Sequence, residues 1–549
     1  MATIDAIAFL PRWTKRVRTD GGGRDPLGLS RVTEWITDHL LQGIITTTDR
    51  ARYYSFYCWS LWHIQQTSPP RKFADFIREF RRREAFMALS TIMANGEASP
   101  VGVRMVGPKL EAANRTGAAD CDFKVLPSND LGGYGQYYAG SLIQLGLTRR
   151  LEWIDLTTPE VGEPLALAFH KAVEGTPYLR KTRWKDSEID LKEIKQSAAN
   201  FSLDSLLEPF ASTERDLLRK LFFSLDSAVK SERSTLRRHS LGLILHIISE
   251  YERSGAPVTN GELDWQVVHA PHYFRQLWLT DRKAVPYAAP EGFSVCDSFW
   301  QQFSLHQFVA NAIETLLYAV LEVLSSEPSG LPLEQICSRL IAEEFRSEIR
   351  DIAGKPCDRP RMLLATLGID AKPSASFCQR RQAEVGLLHP RSELKTAREV
   401  PADPGRAAAR AVLTLGTLYS KWRSADNEAF AFVTANAGHE LSAGRALPYL
   451  DEWLSPSCSW QIALEKMIRD CVIDQHDSVM YEKRNLESCW LHRQERRVIK
   501  DQDYDPPSRS SRQGNAIRIL SDIGLLDSSS DAYRLTADGR KLLNKISTQ

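Results

Sequence analysis

The sequence predicts a mainly α, multi-domain helical protein with a small helix–hairpin–helix module near each end. Three observations predict it. At 549 residues the chain is too long for one simple core, so two to four domains are expected. Apolar residues recur at three- and four-residue spacing through most of its length, as on one face of a helix. Two stretches, Gly132–Phe169 and Ser511–Ser547, share one order: amphipathic helix, glycine stop, short strand, threonine, helix. Net charge is +1, from 70 Lys+Arg against 69 Asp+Glu. A protein built to coat nucleic acid would be far more basic, so any DNA contact must be local.

Residues 1–27 read as an irregular lead-in, with DGGGRDP (Asp20–Pro26) as a turn. The triple glycine is no phosphate loop, because no lysine-serine or lysine-threonine pair follows it. An N-terminal domain is expected over 28–175. Thr46–Gln66 predicts a helix capped by Thr48 or Asp49, dense in Tyr53, Tyr54, Phe56, Tyr57, Trp59 and Trp62. Such rings, with Arg50 and Arg52 beside them, can stack bases. Here they wrap around the helix instead of forming one stripe, which predicts a core helix. Lys72–Met93 predicts a second helix whose REFRRREAF section forms a solvated face. In Gly132–Phe169, Tyr137, Tyr138, Leu142 and Leu145 make the amphipathic helix, Gly146 stops it, Trp153–Leu156 forms the strand, and Thr157 or Thr158 opens the last helix. Aromatic and small residues stand where DNA-reading side chains would be needed, so this copy predicts an interaction module.

Residues 180–450 predict an irregular all-helical middle domain. Ser212–Lys230, Leu236–Gly255, Leu333–Gly354 and Arg406–Arg423 all carry helical spacing, and Phe293–Glu327 contains a long apolar helix expected at the centre. Breaks fall at Gly354–Pro360, Lys372–Ser376 and Val400–Gly405, and no repeat period emerges.

The C-terminal domain is expected over 455–549, beginning with helices in Ser459–Lys483 and a strand with a basic cluster in Cys489–Asp505. Ile517, Leu520 and Ile523 then share a helix face, and Gly524 ends the helix. Asp527–Asp531 is a turn, Tyr533 and Leu535 alternate with Arg534 as in a half-buried strand, and Thr536 caps a helix facing inward through Leu542, Leu543 and Ile546. A recognition-position helix, a wing and a closing helix make a winged-helix-like module, so the fold class is mainly α with winged-helix-like modules near both ends. Arg512, Gln513, Asn515 and Arg518 are the candidate base readers, Arg512, Asn515 and Arg518 lying on the face away from the core: arginine suits guanine, asparagine adenine. Arg493, Arg496, Arg497, Lys500 and Arg509 are candidate phosphate contacts. Ser521, Asp522, Asp527 and Asp531 add no positive charge, so a structural wing with a solvated polar face stands beside the DNA reading.

No catalytic motif is complete. The nine cysteines include no CxxC pair, which suits reduced thiols in the cytoplasm. The N-terminal residues do not read as a signal peptide, and no run reaches the eighteen apolar residues of a membrane helix. His476-Asp477, the pair Cys489 and His492, and the pair His269 and His272 each lack the further ligands a metal needs, and Pro271 predicts a surface turn for the last pair. A magnesium nuclease needs an acid followed by acid-x-lysine. Asp120, Asp122 and Lys124 come nearest, and Glu193 with Lys195 sits in helical surroundings. The chain is thus expected to be non-enzymatic, without cofactor or metal.

The order helix, GLL, strand-LT, x-x-Gly, helix resembles winged-helix proteins of the MarR and PadR kind, over less than a tenth of the chain. TTDRARYYSFYCW and GGYGQYYAGSLIQLGL resemble large bacterial proteins encoded in phage-defence islands. That resemblance implies a subunit of a multi-gene antiviral system in which a helicase or nuclease partner performs the chemistry. With the module pair it gives the leading expectation, a non-catalytic, DNA-associated accessory subunit whose own nucleic-acid partner would be double-stranded DNA. The alternatives are a transcription regulator and a cryptic magnesium-dependent nuclease.

Overall fold

The computed structural model describes residues 25–547 apart from 71, 95–97, 152–153, 226–230, 280–283, 368–401, 423–427, 439, 484–488, 508 and 529–531. The lead-in through residue 24, Trp153 and the break at 372–376 lie outside the described residues. The protein is mainly α, 67% helical, and its short strands serve to tie distant helices together.

Helix α1 (Leu29–Leu40) begins where the Asp25 carboxylate accepts the free Leu29 and Ser30 amides, both at 3.0 Å. Helix α2 (Arg52–Thr67) is a core helix: Tyr53, Tyr54, Phe56, Tyr57 and Trp59 are at most 2% exposed and meet one another, Tyr138 and Phe169. Helix α3 (Phe73–Met93) departs from expectation, because its charged section is not all solvated. Arg83 and Glu84 are buried. Glu84 accepts hydrogen bonds from the Tyr57 hydroxyl (2.8 Å) and the Gly133 amide (2.9 Å), holding the start of the Gly132–Phe169 module.

The two modules expected from the sequence close through the same hydrogen-bond circuit. After Gly146 (φ +72°) the Leu147 amide donates to Leu142 O at 2.9 Å; after Gly524 (φ +72°) the Leu525 amide donates to Leu520 O at 2.9 Å. The chain then makes a hairpin, β1 (Thr148–Arg150) with β2 (Asp155–Thr157) in the first copy. Thr158 and Thr536 next donate their hydroxyls to the Gly146 and Gly524 carbonyls at 2.6 and 2.8 Å. The same hydroxyls accept the amides of Gly162 and Gly539 at 3.1 and 3.0 Å. Glycine is required at both last positions: a Cβ would lie 2.1 Å from Leu147 O and 2.2 Å from Leu525 O.

Helix α4 (Glu232–Arg253), opened by a Ser231–Ser234 capping box, leads into strand β3 (Val258–Thr259). Helix α5 (Ser294–Leu324) is the 31-residue spine. Contrary to expectation, its stretch is long and apolar enough to cross a membrane, yet 89% of that window is buried in the protein's own core. Strands β4 (Leu331–Pro332), β5 (Leu491–Gln494) and β6 (Arg497–Lys500) form one sheet in the order β4-β6-β5. Helix α6 (Gln513–Asp522), strands β7 (Leu526–Asp527) and β8 (Ala532–Leu535), and helix α7 (Ala537–Ser547) complete the chain. The C-terminal hairpin pairs with β3, so the second sheet runs β7-β8-β3.

Packing therefore divides the chain differently from the expected boundaries. One core joins α1, α2, α3, α4 and the start of α5 to α6, β7, β8 and α7. The second gathers the rest of α5, Leu333–Ala353, Pro404–Trp422, Trp460–Lys483 and the β5–β6 hairpin. The helices expected to begin the C-terminal module lie in the second core, and the C-terminal hairpin and α7 pack instead on α4 and β3.

Candidate nucleic-acid interface

Helix α6 is where the sequence places base reading. Ser510 Oγ accepts the Arg512 amide (3.1 Å) and Ser511 Oγ the Gln513 amide (3.2 Å) where the chain enters the helix. Ala516, Ile517, Ile519 and Leu520 are buried in the first core.

The polar face is not in solvent, which corrects the expectation of an open recognition surface. Arg512 pairs with Asp38 and reaches Ile44 O at 3.4 Å. Asn515 Nδ2 donates to Ile45 O at 2.6 Å. Arg518 Nη1 pairs with Asp49 Oδ2 at 2.7 Å. Asp522 Oδ2 accepts the Ala51 amide at 2.9 Å and Arg50 Nε at 3.1 Å. These four residues form one stripe along α6, and the stripe lies on one strip of chain, residues 38–51, which runs from the last turn of α1 to the start of α2. Arg512 is 7% and Gln513 1% exposed; Arg518 alone keeps most of its side chain in water. Burial pushes the Asp522 carboxyl up to about 6 against the pull of Arg50, which also holds Asp204 at 2.7 Å. The strip could not be recognised beforehand, because its polar atoms match α6 across some 470 positions.

Arg509, expected on phosphate, is inside the protein. Its two terminal nitrogens bind the fully buried Glu314 of α5 at 3.0 and 2.5 Å, and one reaches Asn311 Oδ1 at 3.3 Å. Burial raises the Glu314 carboxyl against the opposing effect of that guanidinium.

The β5–β6 hairpin is different. Residues 492–497 are all exposed. Arg496 sits in the turn with no partner among the described residues. Arg497 donates to the carbonyls of Ser329 (3.3 Å) and Gly330 (3.2 Å) with its side chain still exposed. Lys500 is half-buried on Ser325 Oγ (2.5 Å) and Asp503, and Arg493 is held by Asp474 and by Asp477 at 3.0 Å.

The nuclease candidates do not converge. Asp120 Oδ2 takes Lys109 Nζ at 2.6 Å, Asp122 is clamped between Arg81 and Arg82, and Lys124 turns to Asp130 at 2.5 Å. Burial alone would raise the Asp122 carboxyl, but hydrogen bonds from Arg82 and Arg81 hold it below the usual range. Glu193 lies in a helix, Leu191–Phe201, bound by Arg183 and Lys181. His269 and His272 are not on a surface turn: a wide π turn, Trp265–Tyr273, buries both, the first on Ser304 Oγ (3.0 Å) and the second on Asp297 Oδ1 (2.7 Å). His476 is buried and accepts the Trp490 amide at 3.3 Å, while His492 faces Asp501. Among the described residues, no three histidine, cysteine, aspartate or glutamate side chains are grouped to hold a metal.

Comparison with known proteins finds no match: no protein-family model fits the chain, and no curated protein and no solved structure is significantly similar to it.

Proposed function

We propose that this chain is a non-catalytic accessory subunit of a multi-gene bacterial antiviral system, and that its contribution is architectural. One observation carries the reading: the stripe Arg512, Asn515, Arg518 and Asp522, which would face DNA in a winged-helix reader, is bonded along its whole length to residues 38–51. On this reading the C-terminal module is an internal clamp that closes the first core, and chemistry belongs to a helicase or nuclease partner. Association with double-stranded DNA falls to the β5–β6 hairpin, where Arg496 and Arg497 are exposed at a turn narrow enough to follow a groove. A transcription regulator reading bases through α6 is not supported by the occupied face.

The test is DNA binding across a salt series for the wild type, Arg496→Ala/Arg497→Ala and Arg512→Ala/Arg518→Ala. The hairpin variant should weaken binding and flatten the logarithmic salt slope by about 2, roughly one for each phosphate no longer neutralised, with its melting unchanged. The helix variant should melt earlier and keep the slope. Binding abolished by the helix variant, with melting intact, would restore α6 as the reader and end the clamp reading. Co-purification with helicase or nuclease subunits encoded beside it tests the accessory role.

A further inference from the structure

Around His63 of α2 the protein gathers hydrogen-bond donors that nothing accepts. The rings of Trp184, Trp59, His170 and Trp62 lie 4.7, 4.9, 6.0 and 6.5 Å from the His63 ring. Fully buried Arg83 has all its N–H groups engaged: Nε and Nη2 on His63 Nδ1 at 3.3 and 3.0 Å, Nη2 also on Thr67 Oγ1 at 3.5 Å, and Nη1 on Glu79 O and Oε2 at 2.7 and 3.0 Å. His63 thus spends its acceptor nitrogen on Arg83, and burial keeps the ring neutral. His170 spends its own on Trp59 Nε1 at 3.3 Å. Each imidazole is left with an N–H on its other nitrogen.

Three further polar groups in this cluster, Trp62 Nε1, Trp184 Nε1 and the Tyr178 hydroxyl, are buried without a partner. Indole N–H groups only donate, so no flip or tautomer repairs the mismatch. Leaving each unpaired costs about 1–3 kcal/mol. Glu79 offsets Arg83, but the wider surroundings keep an excess of positive charge: Arg81 and Arg82 share the single carboxylate of Asp122, and Arg180 and Lys185 have none among the described residues. Trp62 and His170 are only half-buried, so the cluster reaches the surface at that edge.

We propose that this cluster is a binding site for a small oxyanion, a carboxylate or phosphate group, received by the free donors of Trp62, Trp184 and Tyr178. The site is independent of the clamp and of any DNA contact. Inorganic phosphate and sodium acetate are titrated separately into the full-length protein at constant ionic strength, reading tryptophan fluorescence and Tm. A saturable fluorescence change with a rise in Tm is expected for one of the two, and the better anion identifies the source chemistry. Tyr178→Phe keeps the ring and removes one donor, so it should weaken binding about tenfold. Tyr287→Phe removes a buried, unpartnered hydroxyl elsewhere and should leave the response unchanged. A response that does not saturate with either anion overturns the proposal, and so does an equal midpoint in Tyr178→Phe and wild type.

Discussion

Arg50 and Asp522, 472 positions apart, form a two-pronged ion pair with Nε on Oδ2 at 3.1 Å and Nη2 on Oδ1 at 3.0 Å. Asp522 also takes the Ala51 amide at the start of α2, so the last residue of α6 caps a helix from the opposite end of the sequence. Removing one partner of such a pair leaves a buried charge uncompensated. Arg50→Ala should therefore cost about 3 kcal/mol at pH 8, read as a shift in denaturant midpoint. A loss no larger than that of an ordinary surface substitution would contradict the burial of the pair.

The same carboxyl should leave a pH signature. Burial pushes Asp522 up to about 6, while a solvated aspartate titrates at about 3.9. The native state holds the proton more tightly than the unfolded chain does, so this stability is full below pH about 4 and is lost as pH rises through 6. Glu84, pushed up to about 7, acts in the same direction. Histidines oppose it: burial holds His63 down to about 2 and His239 and His306 to about 4, and these cost stability as pH falls below about 6.5. The informative quantity is a difference. Wild-type Tm minus Asp522→Asn Tm should fall steadily between pH 4 and 7; a flat difference would be inconsistent with the raised carboxyl.

Arg509→Ala should behave as a core mutation. It strands the fully buried Glu314, for an expected loss of about 3 kcal/mol, whereas removal of a phosphate contact would leave the melting curve in place. Thermal unfolding without nucleic acid separates the two.

Gly162→Ala and Gly539→Ala should be matched in effect, since each puts a methyl about 2 Å from a leucine carbonyl oxygen. Overpacking against backbone predicts a loss of about 3 kcal/mol for each. Gly140, where an added methyl would have nothing within 4 Å, is the control: Gly140→Ala should gain or lose less than about 1 kcal/mol.

Local signals carried most of the secondary structure. Gly146 and Gly524 stop their helices, Thr158 and Thr536 open the next ones, and the aromatic residues of α2 pack inward, all as their spacing implies. What the sequence could not convey is pairing at a distance. Arg512 and Arg509 look alike as solvated cations until Asp38 and Glu314 are placed against them. Arg83 within RRRE reads as surface charge because His63, the partner that buries it, lies on another helix, α2, although Glu79 is one turn away on α3. Asp120, Asp122 and Lys124 match a pattern in one dimension, but in the structure each is taken by a different partner: Lys109, Arg81 with Arg82, and Asp130. Sheet membership failed for the same reason: the sequence shows a strand in Cys489–Asp505 and another at Tyr533–Leu535, but the sheets they join each take a further strand from far upstream.

Strand β3 has a consequence for synthesis. Val258 leaves the ribosome hundreds of residues before Tyr533, its partner across the sheet. At ordinary elongation rates of roughly 5–20 residues per second, that edge stays open for on the order of tens of seconds. The nascent chain thus cannot finish its first core as it emerges, and exposed apolar surface awaits the final segment. A message cut short before α6 would yield an aggregation-prone chaperone client, so completion of the polypeptide becomes a precondition for folding.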